Sequence, residues 1–125
     1  MKKINKKRKV LIVEDLPHYQ VLWRRRLSEV ATVLSATTIV DAEKMFAENA
    51  DIEVVVLDAC VPGTTPTTFG LIKSFKKTFD GPMIAISSEE NFRKEMLLLG
   101  CSHQTSVKGD VVEKVTEVLG SLVTL

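Results

Sequence analysis

Short apolar runs alternate with stretches of helical period from position 10 to the end of the chain. The alternation repeats five times, as in chains of βα units, whose strands pair in parallel. The runs predicted as strands are Val10 to Val13, Val33 to Ala36, Val54 to Leu57, Met83 to Ile86 and Gln104 to Val107. The first, third and fourth runs are continuously apolar, which indicates strands covered on both faces.

The first two segments between these runs have the apolar spacing of a helix face. Pro17 is predicted to open the first helix. The apolar face of that helix comprises Tyr19, Leu22, Trp23, Leu27 and Val30. Asp41 is predicted to cap the second helix, which buries Ala42, Met45 and Phe46.

Three further helices follow from the same spacing. The third is predicted from Phe69 to Phe79, and the fourth from Ser88 to Leu99 with Gly100 as its C-cap. The fifth carries Val111, Val112, Val115, Val118, Leu119 and Leu122 on one side. Because right-handed crossovers place helices on both faces of a parallel sheet, the pattern predicts a doubly wound, three-layer α/β/α sandwich.

Basic residues are concentrated at the start of a chain that is otherwise close to neutral. The 125 residues carry a net charge of +1, and six basic residues lie between Lys2 and Lys9. Such a segment could be a nucleic-acid or membrane arm, but we favour a short, flexible tail over residues 1–9 and one domain over residues 10–125. We therefore expect neither direct nucleic-acid binding nor membrane binding.

The apolar run from Val10 to Val13 ends at Glu14 and is too short for the apolar region of a secretion signal. No stretch of the sequence approaches transmembrane length. The two cysteines, Cys60 and Cys101, have no closely spaced ligand partners. We therefore expect reduced thiols in a cytoplasmic protein.

Polar side chains follow four of the five predicted strands. They are Glu14 and Asp15 after the first strand, Asp58 after the third, Ser87 and Ser88 after the fourth, and Lys108 after the fifth. The carboxyl ends of parallel strands meet at one edge of a sheet, so these groups should converge on one crevice. An acidic residue after a single strand is often only a loop or capping residue, whereas convergence from four strands predicts a site.

Three carboxylates in one crevice repel each other unless a cation lies among them. Mg²⁺ suits such a place, because it prefers oxygen ligands and binds one or two carboxylates together with phosphate oxygens. A carboxylate beside the metal could then attack phosphorus and form an acyl phosphate. Lys108 would contact another phosphate oxygen as a point charge, and Ser87 would donate its hydroxyl.

The landmarks of the chain follow one another in a recognisable order. They are the run Val10 to Pro17, the run Val55 to Asp58 with Pro62 and Gly63 after it, the run Pro82 to Ser88, then Gly100 and Lys108. In this order the sequence resembles the receiver domains of two-component response regulators, over nearly the whole chain from Val10 onward. The resemblance implies a flavodoxin-like sandwich with a five-stranded parallel sheet of order 2-1-3-4-5.

The resemblance also implies a role for each site residue. Asp58 would accept a phosphoryl group from a phosphohistidine on a sensor histidine kinase or phosphotransfer protein. Mg²⁺ would be held by Asp58, by Asp15, by Glu14 through water, and by the main-chain carbonyl of Cys60. Ser87 matches the hydroxyl residue that moves toward the phosphate, and Lys108 matches the lysine of the family pattern. Such a switch catalyses only its own phosphorylation and dephosphorylation, and signals to a downstream protein.

Four features depart from the family pattern. Thr105 stands where the family usually has an aromatic residue, and Gly109 replaces the usual proline. The spacing from Gly100 to Lys108 is one residue longer than is typical, and residues 64–68, four of them threonines, replace an acidic-glycine turn. A phosphorylation-independent pseudo-receiver, acting as a protein-interaction module, therefore stays open as an alternative.

Two further alternatives concern function and assembly. A phosphatase with an aspartate nucleophile could use the same architecture, but such enzymes commonly carry a second acid where this chain has Cys60. Leu97 to Leu99 give the fourth helix more apolar side chains than one buried stripe needs. These leucines could form a weak homodimer face, and core packing with one stray leucine accounts for them equally well.

Overall fold

The computed structural model describes residues 7–122, which form five strands and five α-helices. The strands are β1 (Arg8–Val13), β2 (Ala31–Ala36), β3 (Ile52–Asp58), β4 (Met83–Ile86) and β5 (His103–Thr105). The helices are α1 (Pro17–Arg26), α2 (Ile39–Glu48), α3 (Phe69–Lys76), α4 (Glu90–Leu99) and α5 (Val111–Ser121), and a short 3₁₀ helix spans Lys108–Asp110.

The five strands form one sheet in the order β2-β1-β3-β4-β5, and every pair is parallel. This arrangement confirms the predicted fold class and strand order. Since β1 and β3 lie side by side at the centre, the chain segments that leave their carboxyl ends are adjacent. The crevice beyond those two ends is where an open parallel sheet binds its ligands.

Successive side chains of the central strands point to opposite faces, and each face has its own core. Val10 and Ile12 of β1 pack in the cluster that holds Trp23 of α1 and Val115 of α5. Leu11 and Val13 pack in the other cluster. That second cluster contains Ala42 of α2, Ile72 and Phe75 of α3, and Met96 of α4. The sheet is therefore buried on both sides, as its apolar strands predicted.

Strand β1 begins at Arg8, two residues before the predicted start of the first strand at Val10. Arg8 pairs with Ala31 and Lys9 with Thr32 in the parallel ladder. The Arg8 guanidinium also donates from Nε to Glu53 Oε1 at 2.9 Å. Residues 1–6 lie outside the described part of the chain, so the remainder of the predicted tail stays a prediction.

Three other strands have bounds that differ from the predictions. β2 begins at Ala31 and β3 at Ile52, two residues earlier than predicted in each case. β5 covers His103–Thr105 instead of Gln104 to Val107. Because its neighbour β4 is short, pairing is limited to Ile84 with His103 through Ile86 with Thr105.

Helix α1 is shorter than predicted, and only part of its predicted apolar face is buried. It ends at Arg26, with Leu27 as its C-cap, so Val30 lies beyond the helix and is 45% exposed. Leu22 is 40% exposed, whereas the polar Gln20 is buried. The prediction that Leu22 and Val30 face the core is therefore wrong.

The start of helix α2 corrects a second detail. The Thr38 hydroxyl accepts a hydrogen bond from the Asp41 backbone N–H at 3.0 Å. A capping side chain bonds the N–H two or three residues further on, so Thr38 is the N-cap and Asp41 lies in the first turn. Within α2, Ala42 is buried, and Met45 and Phe46 are partly buried against the core.

The remaining helices follow the predicted spacing, with shifts at their ends. α3 ends at Lys76, but Phe79 still bonds back to the Phe75 carbonyl and packs on the core. α4 begins at Glu90 and ends before Gly100, whose φ of 139° suits glycine. Of the three leucines from Leu97 to Leu99, only Leu98 is strongly exposed. Within residues 7–122, no helix is both long and apolar enough to cross a bilayer.

Candidate functional site

The carboxyl ends of the central strands bring three carboxylates together. Asp58 is the last residue of β3, and Glu14 and Asp15 come directly after β1. One oxygen from each of these side chains lies within 4.8 Å of the other two. The predicted acidic cluster is thus present as a spatial cluster in the folded chain.

Lys108 joins two of these carboxylates from the other side of the crevice. Its ammonium lies 2.9 Å from Glu14 Oε1 and 3.1 Å from Asp58 Oδ2, and it donates a hydrogen bond to Glu14 Oε2 at 3.0 Å. The Glu14 side chain is completely buried, and that of Lys108 is 25% exposed. The longer spacing after Gly100 therefore does not displace the lysine from the position that the sequence predicted.

Burial dominates the electrostatics of Glu14. Desolvation, and next the close approach of the Asp58 carboxyl group, raise the pKa of Glu14 to about 7, although Lys108 and the Leu16 N–H oppose this. For Lys108, burial lowers the pKa, but hydrogen bonds to Glu14 and Asp58 outweigh it and the pKa is raised overall. The cluster therefore holds more negative charge than one ammonium stabilises.

The donor set fits a hard divalent cation. Glu14, Asp15 and Asp58 offer carboxylate oxygens, the ligand type that Mg²⁺ prefers. Glu14 Oε1 is buried and, among residues 7–122, receives no hydrogen bond of good geometry, even though Lys108 lies within ion-pair distance. A buried acceptor of this kind is costly, and a cation in the crevice would satisfy it, directly or through water.

The turn after β3 holds the Asp58 side chain and its backbone in place. The Cys60 backbone N–H donates to Asp58 Oδ1 at 2.9 Å. The buried Thr68 hydroxyl donates to the Asp58 carbonyl at 2.8 Å. Cys60 itself is partly buried beside the carboxylates. Ligation by the Cys60 main-chain carbonyl stays a prediction.

Ser87 directly follows β4 and lies in the same cleft as Asp58. This cleft has a volume of about 650 Å³, and Lys108 and Phe92 also line it. The Ser87 hydroxyl accepts a hydrogen bond from the Glu89 N–H at 3.0 Å, and the Arg93 guanidinium donates to the Ser87 carbonyl at 2.7 Å. The structure thus brings Ser87 to the predicted edge, with its hydroxyl engaged in a turn at the start of α4.

No protein-family model matches the sequence, and no curated protein sequence matches it significantly. Solved structures, in contrast, are similar over nearly their full length. A two-component response regulator from Clostridium difficile superposes with a TM-score of 0.79 at 14% identity, covering 94% of this chain and all of that one. The chain has the receiver fold.

Two further structures agree with this assignment. Chemotaxis protein CheY4 of Vibrio cholerae has a TM-score of 0.74 at 16% identity, with 90% of this chain and 99% of that chain covered. The BeF₃-activated receiver domain of Klebsiella pneumoniae RstA has a TM-score of 0.72 at 21% identity, with 89% and 97% covered. The similarity therefore concerns the fold of a complete receiver domain.

The structure shows the surroundings of two residues that depart from the receiver pattern, Thr105 and Gly109. Thr105, in place of the aromatic residue, is 7% exposed, and its hydroxyl donates to the Val107 carbonyl at 3.2 Å. Gly109 lies in the 3₁₀ helix, and a Cβ added there would meet nothing within 4 Å. Thr105 also accepts the Ser87 backbone N–H on its carbonyl at 3.3 Å, whereas nothing around Gly109 requires glycine.

The threonine-rich loop after Gly63 is tied to the site through its last two residues. The Thr67 hydroxyl accepts from the Val61 N–H at 2.8 Å and donates to the Val61 carbonyl at 2.9 Å. Thr68 is fully buried and bonds the Asp58 backbone. The sequence signalled only a remodelled loop, because nothing in it reveals which threonine turns inward.

Gln20 is a structural residue of the site that sequence reasoning missed. Its Nε2 donates to the carbonyls of Ile12, Glu14 and Ala36 at 2.9, 3.1 and 3.2 Å. Gln20 thereby joins α1 to the ends of β1 and β2 immediately behind the acidic cluster. Gln20 precedes Trp23 by three residues and Leu27 by seven, so it lies on the same helix face as both. This spacing could have predicted that Gln20 is buried.

Proposed function

We propose that this chain is a phosphorelay receiver that accepts a phosphoryl group on Asp58 from a phosphohistidine. The observation that carries the proposal is the cluster of Asp58, Glu14, Asp15 and Lys108 at the carboxyl edge of a receiver-type sheet. Asp58 is 8% exposed and lines an open cleft, so a phosphate donor can reach it. Proximity and fixed charges are what phosphoryl transfer chiefly requires.

The proposed reaction is a nucleophilic displacement at phosphorus. An oxygen of the Asp58 carboxylate forms a bond to phosphorus, and the bond from phosphorus to the donor's imidazole nitrogen breaks. The electron pair of that bond stays on the imidazole, and the product is an acyl phosphate. Hydrolysis by water then returns the Asp58 carboxylate and releases inorganic phosphate, so the chain catalyses only its own modification.

The other residues supply charge and hydrogen bonds to the transferred group. Lys108 now pairs with Asp58 Oδ2. When phosphorylation removes the negative charge of this carboxylate, the ammonium would turn to a phosphoryl oxygen. Ser87 would donate its hydroxyl to another oxygen after rotating from its turn. Mg²⁺, held by Asp15, Asp58, the Cys60 carbonyl and, through water, Glu14, would neutralise the charge on the phosphoryl oxygens.

The partners in this proposal follow from the donor chemistry. The donor would be a sensor histidine kinase or a histidine phosphotransfer protein, and the signal would pass to a downstream protein. The names of the similar structures, a two-component response regulator and a chemotaxis protein, support this setting. A weak homodimer and a cytoplasmic location stay predictions.

The direct test is incubation with acetyl phosphate and Mg²⁺, followed by mass spectrometry of the intact protein. We expect the added mass of one phosphoryl group, its absence in EDTA, and its loss in Asp58→Asn. Asp80→Asn, an exposed aspartate just before β4, is the matched control and should be modified like the wild type. An unmodified wild-type protein, or modification that persists in Asp58→Asn, would overturn the proposal.

The pseudo-receiver alternative rests on Thr105, whose small, internally bonded side chain leaves no aromatic ring at this position of β5 to follow Ser87. Failure to take up phosphate together with failure to bind Mg²⁺ would favour it.

The phosphatase alternative is weaker. Desolvation, followed by the charges of Asp58 and Asp15, raises the pKa of Cys60, so its thiol is a much weaker acid than the carboxyl group that such phosphatases carry.

A further inference from the structure

The Tyr19 ring lies against the Lys108 ammonium, with 4.8 Å between Lys108 Nζ and the ring centroid. We propose that Tyr19 is a positioning residue that holds the ammonium beside Asp58 through a cation–π contact. The contact follows from geometry alone, and its consequence for phosphoryl transfer rests on the proposed function. Tyr19 lines the same cleft as Asp58 and Lys108.

The ring itself is fixed by its neighbours on α1. Tyr19 and Trp23 are four residues apart on one helix face, and their rings stack at a centroid distance of 5.3 Å and an angle of 25°. Trp23 is 1% exposed and belongs to the core between α1, α5 and the sheet. The stacking on Trp23 therefore holds the Tyr19 ring in one orientation. A flexible aliphatic side chain at position 19 would be less restricted.

Lys108, in contrast, needs external support. It begins a 3₁₀ helix next to Gly109, its side chain has four rotatable bonds, and it is 25% exposed. Its two other close contacts are the carboxylates of Glu14 and Asp58. Those are the groups whose charge changes when Asp58 is phosphorylated or when a cation binds among them.

The ring contact does not depend on the charge of these carboxylates. A cation–π attraction comes from the fixed quadrupole of the ring and involves no proton and no exchangeable ligand. Tyr19 can thus keep the Lys108 ammonium near the reacting oxygen while its carboxylate partners are shared with phosphate or metal. A partly buried contact of this type is equivalent to a factor of about three to ten in an equilibrium constant.

Two variants separate the ring's charge distribution from its bulk. Tyr19→Leu keeps an apolar side chain against Trp23 but has no ring, whereas Tyr19→Phe keeps the ring and loses the hydroxyl. With acetyl phosphate and Mg²⁺, we expect Tyr19→Leu to lower the maximal phosphorylation rate about three- to tenfold. Tyr19→Phe should restore the rate to within about twofold of the wild type.

A double-mutant cycle with Lys108→Met shows whether Tyr19 acts through the lysine. In that background Tyr19→Leu should cause no further loss. Val21→Leu, on the exposed side of α1, controls for changes in the helix, and urea unfolding checks that each variant folds. Equal rates for Tyr19→Leu and the wild type, or an equal loss with and without Lys108, would overturn the proposal.

A spectroscopic readout decides the case even if the protein accepts no phosphate. In ¹³C-resolved NMR spectra, the ring current of Tyr19 should shift the ε-methylene protons of Lys108 upfield. The shift should persist in Tyr19→Phe and vanish in Tyr19→Leu. Wild-type protein that shows the shift but takes up no phosphate would refute the proposed function and leave the contact standing. An unshifted Lys108 would refute the contact itself.

Discussion

Replacing Glu14 by glutamine should stabilise the metal-free protein at pH 8, although it removes a residue of the proposed site. The Glu14 side chain is completely buried and lies close to Asp58. Glutamine has nearly the same shape and carries no charge to desolvate. Clustered carboxylates destabilise the folded protein when no cation lies among them. Removing one of these charges should therefore raise the free energy of unfolding and weaken the proposed phosphoryl transfer.

The magnitude follows from the pKa of Glu14. Burial raises this pKa from 4.5 to about 7, and at full ionisation the difference corresponds to about 3 kcal/mol against the folded state. Because the folded pKa is the higher one, the folded state binds the proton more tightly. The associated stability is present below pH 4.5 and is lost as the pH rises through about 7. In glutamine an NH2 group replaces one carboxylate oxygen and cannot accept from the Lys108 ammonium beside it, so we expect a smaller net gain of about 1–2 kcal/mol at pH 8.

Urea unfolding in EDTA at several values between pH 5 and pH 8 measures this effect. The stability difference between Glu14→Gln and the wild type should be small at pH 5 and should grow toward pH 8. Glu95→Gln, an exposed position on α4, is the matched control and should follow the wild type. A difference that does not change with pH would refute the reasoning. Adding Mg²⁺ at pH 8 should raise the stability of the wild type more than that of Glu14→Gln.

Three further predictions concern the scaffold. Gln20→Leu should lower the free energy of unfolding by about 1–2 kcal/mol, because the side-chain amide no longer donates to the carbonyls of Ile12 and Glu14, whereas the Ala36 carbonyl keeps the Glu14 N–H; urea unfolding measures it. Phe75→Ala should cost about 3–5 kcal/mol by the same assay, since Phe75 is 1% exposed and stacks on Phe46 at 3.9 Å. Burial raises the pKa of Cys101 to about 12, so in the Cys60→Ser protein a thiol reagent at pH 8 should react only as fast as the fold opens. Rapid labelling of Cys101 would contradict its burial.

Much of the fold could be predicted because strand and helix cores carry repeated signals. The four consecutive apolar residues from Val54 to Leu57 are typical of an interior strand, and the five-fold alternation then predicts the sandwich. Boundaries were less predictable. Arg8 and Lys9 have polar side chains and still pair in β1, because main-chain hydrogen bonding to β2 does not depend on side-chain polarity.

The charged members of the site could also be predicted. Glu14 directly follows β1, Asp58 ends β3 and Lys108 lies three residues after β5, and parallel topology brings such positions to one edge of the sheet. Thr105 shows the limit of that reasoning. Its substitution for an aromatic residue was visible in the sequence, but its bond to the Val107 carbonyl was not.

The sequence by itself determined the order of the elements, the two-sided burial of the sheet and the edge at which acids and lysine meet. These properties depend on residue type and spacing along the chain. Only the tertiary structure decided that Gln20 supports three carbonyls, that Thr68 turns inward, and that the Tyr19 ring lies beside Lys108. Such contacts depend on side-chain directions between segments far apart in sequence, which no local pattern encodes.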